Sequence, residues 1–395
     1  MLPVDVREAI MRGIIGLLFA LVSTGALAAE QNPFGIDSFV ESGWTSNASD
    51  SALGGADFFV HQKHALEWRG GVGPLALRGG LTLEQTRYAR LTTEDDLEAT
   101  AGLEAGLALG AGVGLRFGYA LTRAWLGEAL TVEAPLLGLR GDKREHEVLA
   151  ELVLSGENRL LTIGVDGLWR QPADTTFSGI ALPPLRLEPE IRHLTLRADG
   201  EWALAPELAL LARAHGFVVA VPPADRFIYG REPADGARLA AGLRARQAAL
   251  SLDGWMGLDV AWPVSAPELR RAIPYLDASA RWQLNDVLGL SAALRSGMDL
   301  LDPIDGVASG KTELEGGVRL AVAEPLALAG TLGFSRETGL YAPELRRDRR
   351  FMRAALTYVP APNAEIGIYA ERAQVEAPLE RYETLVMGVS GGVKL

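Results

Sequence analysis

Apolar and polar side chains alternate along almost the whole chain. From Leu97 to Leu107 the odd positions are Leu and Ala, while Glu98, Thr100 and Glu104 stand between them; 314–322 repeats the pattern around Glu315 and Arg319. A period of two puts successive side chains on opposite faces and predicts extended strands, not helices. Tight breaks rich in Gly, Pro, Asn and Asp interrupt these strands at 71–74, 110–112, 156–158, 205–207, 246–247, 285–286, 323–325 and 360–363. Between them fall longer, charged, Pro-containing connections at 91–95, 128–145, 171–189, 222–233, 263–272, 301–309, 339–349 and 377–380.

Short and long connections therefore take turns, as expected of an antiparallel up-and-down transmembrane β-barrel with short periplasmic turns and longer extracellular loops. The breaks delimit about 18 strands, in a range of about 16–18, and place both ends of the barrel on the short-turn side. A soluble β-sandwich predicts no such order. The closing strand carries Leu385, Met387, Val389, Gly391, Val393 and Leu395 on one face, the terminal signature of outer-membrane barrels with Leu395 in place of an aromatic residue.

The N-terminus changes the picture in one respect. Arg12 precedes the apolar run 14–22, and Ala26-Leu27-Ala28 forms a small-x-small cleavage site. We therefore expect a signal peptide over 1–28, a short periplasmic segment over 29–37 and the barrel over 38–395, with the alternative of a short membrane anchor. The 395-residue chain has a formal net charge of −12 and no cysteine. That charge disfavours nucleic acid as a partner, and the missing thiols exclude disulfides, thiolate catalysis and cysteine metal sites.

If the apolar face meets lipid, the charged face lines the lumen, because an Arg or Lys costs about 2–4 kcal/mol on the lipid face at mid-depth. The expected lumen-lining set is Arg78, Glu98, Glu104, Arg116, Glu151, Asp166, Arg197, Asp199, Arg213, Arg244, Asp253, Asp277, Arg281, Arg295, Glu315 and Arg319. These charges read either as cross-strand ion-pair ladders or as a track for solutes. Trp68, Trp202 and Trp282 fall just before short turns, and Trp44, Trp169 and Trp262 near long loops, the placement of two interfacial girdles. The loop 171–189 is unusually apolar. Phe177, Ile180, Leu182 and Leu185 make it the expected lumenal constriction, with packing on a neighbouring barrel or over the mouth as alternatives.

Catalytic chemistry is not legible. The five histidines are scattered, and His61 and His64, three apart on a strand, face opposite ways, so they do not share a metal. His64 falls on the lipid side, but no serine partner is visible. Asn47-Ala48-Ser49 and Arg140-Gly141-Asp142 are short enough to be chance matches to modification and adhesion tripeptides. We expect neither an enzyme nor a cofactor.

Ser42-Gly43-Trp44-Thr45-Ser46-Asn47, Asp57-Phe58-Phe59-Val60 and Gly73-Pro74-Leu75-Ala76-Leu77 open successive strands. On these motifs the mature chain resembles the beta-barrel porin 2 family of bacterial outer-membrane proteins. The resemblance implies an outer-membrane barrel, with some members accompanying exopolysaccharide export systems. The expected function is a porin-like channel for small polar solutes. The rivals are a polysaccharide export pore with periplasmic partners and, in another class, a non-conducting structural barrel or an outer-membrane enzyme. Only Trp255, Tyr275, Tyr369 and Tyr88 point inward among aromatics, few for a sugar track. The expected partners are outer-membrane lipid and the barrel-assembly machinery acting on the C-terminal strand.

Overall fold

A computed structural model describes residues 33–49, 51, 54–131, 136–179, 181–378 and 380–395, with backbone alone at 128–131 and 136–137. The expected signal sequence and Ile180 lie outside the described residues. The barrel strands are β1 (Phe34–Thr45), β2 (Asp57–Val72), β3 (Leu75–Tyr88), β4 (Asp96–Gly110), β5 (Val113–Thr131), β6 (Leu136–Ser155) and β7 (Arg159–Pro172). After a three-residue strand β8 (Thr176–Ser178) come β9 (Ile191–Ala205), β10 (Leu208–Ala220), β11 (Ala234–Arg246), β12 (Leu250–Pro263), β13 (Arg271–Gln283) and β14 (Leu288–Asp299). The last are β15 (Ser309–Ala323), β16 (Leu326–Gly339), β17 (Arg346–Ala361), β18 (Ala364–Ala377) and β19 (Glu380–Lys394).

Apart from β8, which sits outside the ring, these form a closed antiparallel barrel of 18 strands. Each barrel strand pairs with the next, and β19 pairs with β1 to remove the last free edge. Trp44 faces Met387 and Ser42 faces Val389 across that seam. Ile36 and Leu395 exchange both backbone hydrogen bonds, at 2.9 and 2.8 Å. Register follows the sequence alternation: Arg78 opposes Glu104 on one face, and Leu81 opposes Ala101 on the other. The turn between β4 and β5 requires glycine at Gly112, where φ is +79° and a Cβ would run into the Ser155 carbonyl oxygen.

Four local expectations change. β1 starts at Phe34, inside the segment expected to precede the barrel. Residues 128–131 and 136–145, expected as part of a loop, instead extend β5 and β6, which pair up to Thr131 and Leu136. Their charges broke the apolar pattern, yet above the lipid both faces of a hairpin meet water and tolerate charge. Arg123 and Asp142 pair there at 2.6 Å. In the connection 222–233 a short helix α1 (Pro223–Tyr229) forms, started by Pro at its first turn and stopped by Gly230 in the left-handed region. The connection at 378–379 is as short as a turn.

An apolar core lies on the inner side of the wall near the long-loop end. Ile191, Val219, Val221, Ala234 and Ala261 there pack against Leu300 and Ala308 from the β14–β15 loop.

Candidate functional site

The two faces of the wall carry different chemistry. Exposed Leu103, Phe117, Leu239, Met256, Leu332 and Val389 lie on one face, at 50–70% exposure. The other face carries most of the ion pairs, and the long loops tuck against it, so it is the inner one; the pairs Arg123–Asp142, Arg336–Asp348 and Arg372–Glu383 share the first face only near the long-loop end. Arg78 (opposite Glu104), Arg116 (opposite Glu151), Asp199 (opposite Arg213), Arg244 (opposite Asp253) and Asp277 (opposite Arg295) all face inward as direct cross-strand neighbours. Glu98, Asp166, Arg197, Arg281, Glu315 and Arg319 share that face by register.

Pairing is dense on the strands from β9 to β12. Asp199 accepts from Arg213 at 2.8 Å and lies 3.2 Å from His215. Asp259, fully buried, accepts from Arg238 at 2.7 and 2.8 Å. Arg244 spans Glu201 and Asp253, each at 2.5 Å. Arg197 reaches both Glu151 and Asp166. More aromatic rings face inward than the sequence suggested, Phe39, Phe59 and Phe217 among them, and several are covered by guanidinium groups: Arg213 stands 4.2 Å over Trp255, Arg238 3.9 Å over Tyr275 and Arg353 4.5 Å over Tyr369. Alternation alone showed which residues share this face, but not that acid, base and ring would interlock on it.

Elsewhere the wall is less neutralised. Arg281 and Arg319 make no ion pair among the described residues, and Arg295 stands 4.0 Å from Asp277. Glu98, Glu147 and Glu315 are likewise without an ion-pair partner there. A recess of about 560 Å³ opens on the inner face of β2–β9, lined by Glu67, Arg78, Glu104, Glu147, Asp166 and His193.

Register places Trp44, Trp169 and Trp262 outward near the long-loop end, and Trp68, Trp202 and Trp282 outward near the short turns. Trp125 joins the first group, with Arg123 4.4 Å from its ring. Trp255 is the tryptophan that turns inward.

The loop expected to form the constriction is held at the long-loop end of the barrel. Phe177 lies in β8, which pairs with Gly138, Leu139 and Arg140 on the outward extension of β6. Leu182 and Leu185 are 51% and 58% exposed. Arg186 is tied to Asp225 and Tyr229 of α1, and Glu190 N–H donates to Asp225 at 2.7 Å. This loop ties down the rim, because its own pairing and α1 satisfy it there.

A different loop narrows the lumen. Above Ser296, β14 leaves β13 and runs inward. Gly297 permits this: a Cβ would stand 3.0 Å from Asp259 Oδ2 and 3.1 Å from Arg238 Nη2. Met298 N–H then donates to Asp259 at 2.8 Å. The segment 300–308 lies on β9–β12 and reaches Arg170 of β7 through Asp302 at 2.5 Å. The β16–β17 loop follows it inward. Asp305 accepts from Val307, Ala308 and Tyr341 backbone N–H groups at 2.7–2.9 Å, and Tyr341 donates its hydroxyl to Ala261 O at 3.1 Å. Arg231, just after α1 and 5% exposed, donates to the carbonyls of Gly306 at 2.9 Å, Val307 at 3.3 Å and Leu300. Burial pushes its pKa down from the usual guanidinium value. The sequence signal for this plug is faint: 300–308 carries Leu and Val among its acids, but less apolar surface than 177–185.

On the outer face, Ser38 and His64 do meet: Ser38 Oγ lies 2.8 Å from His64 Nδ1, midway along β1 and β2. The strand ladder, invisible in a linear reading, supplies the serine. The other ring nitrogen has no hydrogen-bond partner among the described residues, so no third group orients the ring as in a hydrolase triad. The pair satisfies two polar groups that lipid cannot. No group of three His, Asp or Glu among the described residues is arranged to hold a metal.

No protein-family model matches the chain, and no curated protein matches it in sequence. The motif resemblance to the beta-barrel porin 2 family therefore has no family match behind it. Solved structures do match. OpdK of Pseudomonas aeruginosa, determined with vanillate, has a TM-score of 0.51 at 10% identity, covering 92% of this chain and 99% of that one. CdiB from Acinetobacter baumannii has a TM-score of 0.51 at 11% identity, over 92% of this chain and 60% of that one. The ferric enterobactin receptor PfeA of P. aeruginosa has a TM-score of 0.50 at 8% identity, over 92% and 81%. At such identities the likeness is one of fold, that of outer-membrane β-barrels.

Proposed function

We propose that this chain is a non-enzymatic outer-membrane channel through which small polar solutes pass passively or with guidance from the charged wall. The observation that carries the reading is a charged inner face narrowed by two of the chain's own loops. A barrel of about 16–18 strands is too wide for side chains to fill and holds water unless plugged. Loops on the inner wall then set the passage, and fixed charges around it set selectivity. Export through a signal peptide over 1–28 and insertion through the C-terminal strand by the assembly machinery belong to the same proposal.

The export-pore rival needs free aromatic faces for sugar rings. Trp255, Tyr275 and Tyr369 are each covered by an arginine, and the inward rings Phe39, Phe59 and Tyr88 lie together on β1–β3, which favours small solutes over a continuous sugar track. The test is planar-bilayer recording of the refolded full chain. Stepwise, ohmic conductance is expected; a folded, inserted barrel that passes no current overturns the channel reading.

A further inference from the structure

Arg246, Arg281 and Arg319 differ from the arginines above them. They lie near the short-turn ends of β11, β13 and β15, on the inner face, and all are exposed. No carboxylate lies within ion-pair distance of any of them among the described residues. One cross-strand row joins the first two: Arg246 opposes Ser251, Ser251 opposes Arg281, and Arg281 opposes Ser291. Ser291 opposes Gly317, and Arg319 stands one step nearer the turn, opposite Gly289. The arginines thus occupy alternate strands, and the strands between them present only Ser and Gly.

This spacing matters. Neighbouring strands lie about 4.8 Å apart, so successive arginines project from backbones about 10 Å apart across a shallow, polar floor. Long side chains on either side of such a floor can converge on one ligand. Each unoccupied guanidinium presents a planar fork matched to carboxylate or phosphate oxygens. One pair higher on β11 the situation reverses: Arg244 is closed by Glu201 and Asp253. The acids nearest the patch are Asp253, one inward position above Ser251 and held by Arg244, and Glu207, Asp286 and Glu324 of the adjoining short turns, none of them within ion-pair distance of the three arginines. The inner wall therefore pairs its guanidinium groups in its middle on β9–β12 and leaves three of them unpaired at its periplasmic mouth.

We infer that this mouth is a docking site for small oxyanions, phosphate or a dicarboxylate, and that it makes the channel anion-selective from its periplasmic side. The inference rests on the channel reading for its transport consequence, but the binding site itself does not. The experiment has two arms on the full chain and on the triple variant Arg246→Gln, Arg281→Gln, Arg319→Gln, whose folding is checked by heat-modifiable migration.

In planar bilayers with asymmetric KCl, the parent is expected to show an anion-selective reversal potential. Sodium phosphate should reduce its current at lower concentration from the periplasmic side. The triple variant should conduct with both effects lost. Conduction with unchanged selectivity and block in the triple variant overturns the inference and leaves the channel standing. In the second arm, inorganic phosphate and succinate are titrated calorimetrically into the detergent-held barrel. Each single Arg→Gln change should weaken binding about fivefold, the ratio equivalent to about 1 kcal/mol between unit charges about 4 Å apart in water. Equal binding by parent and triple variant, or none by the parent, overturns the site even if no current is ever seen. Phosphate binding by a parent that passes no current supports the site and removes the channel reading alone.

Discussion

Arg231→Gln should loosen the inward loop without unfolding the barrel. The guanidinium is 5% exposed and donates to the carbonyls of Gly306 at 2.9 Å, Val307 at 3.3 Å and Leu300. A hydrogen bond from a charged donor contributes about 1.5–3 kcal/mol net, and leaving carbonyls unpartnered adds to the loss. Against this stands the desolvation of a buried guanidinium, which the substitution relieves. A shorter, neutral amide keeps at most one of the bonds. Taking two lost bonds less the relieved burial gives about 3 kcal/mol, roughly a hundredfold shift in the ratio of seated to unseated loop. The barrel's strand ladders are untouched, so the thermal transition of the wall should stay close to the parent's. Single-channel recording is the assay: larger conductance steps and more open-state noise are expected, with a deletion of 301–307 as the fully opened reference. Steps and noise identical to the parent's, beside a deletion that does enlarge them, would refute the assignment of Arg231 as the clasp.

Two further outcomes follow from the same geometry. Shortening the rim loop by removing 176–185 should leave single-channel conductance within experimental scatter, because β8 pairs with the rim extension of β6 while 300–308 packs on the inner wall; a rise comparable to that of the 301–307 deletion would restore the rim loop as the constriction. Burial raises the pKa of Tyr341 above its ordinary value, so its contribution to loop seating is complete below about pH 10 and is lost as the pH climbs through the raised value. Conductance should therefore be flat through neutral pH and rise in strong alkali, and Tyr341→Phe should remove that rise; an unaltered profile in the variant would disconnect Tyr341 from the loop.

Much of the wall was legible from local pattern. Leu97 to Leu107 displays its faces without any partner, since a strand's side chains alternate whatever it pairs with. The same holds for Trp68, Trp202 and Trp282, whose distance from a turn is a matter of counting. Where the pattern misled, the cause was the surroundings. Arg140, Asp142 and Lys143 broke the alternation at 128–145 and suggested a loop, although a hairpin above the lipid has water on both sides and can carry them. Ser38 lies 26 residues from His64, so their hydrogen bond appeared only once β1 and β2 were in register.

By itself, then, the sequence determined an up-and-down antiparallel barrel, its approximate strand number, the end that bears the loops and the side of the wall that bears charge. Period and turn chemistry are local properties, and local properties survive in a linear reading. Tertiary structure decided which loop enters the lumen and which charges are spent on one another. Leu300 is held by Arg231 across 69 residues of chain, and Arg170 meets Asp302 across 132. Arg244 and Arg281 look alike along the chain. They part company only when the ladder brings two acids to the first and serines to the second.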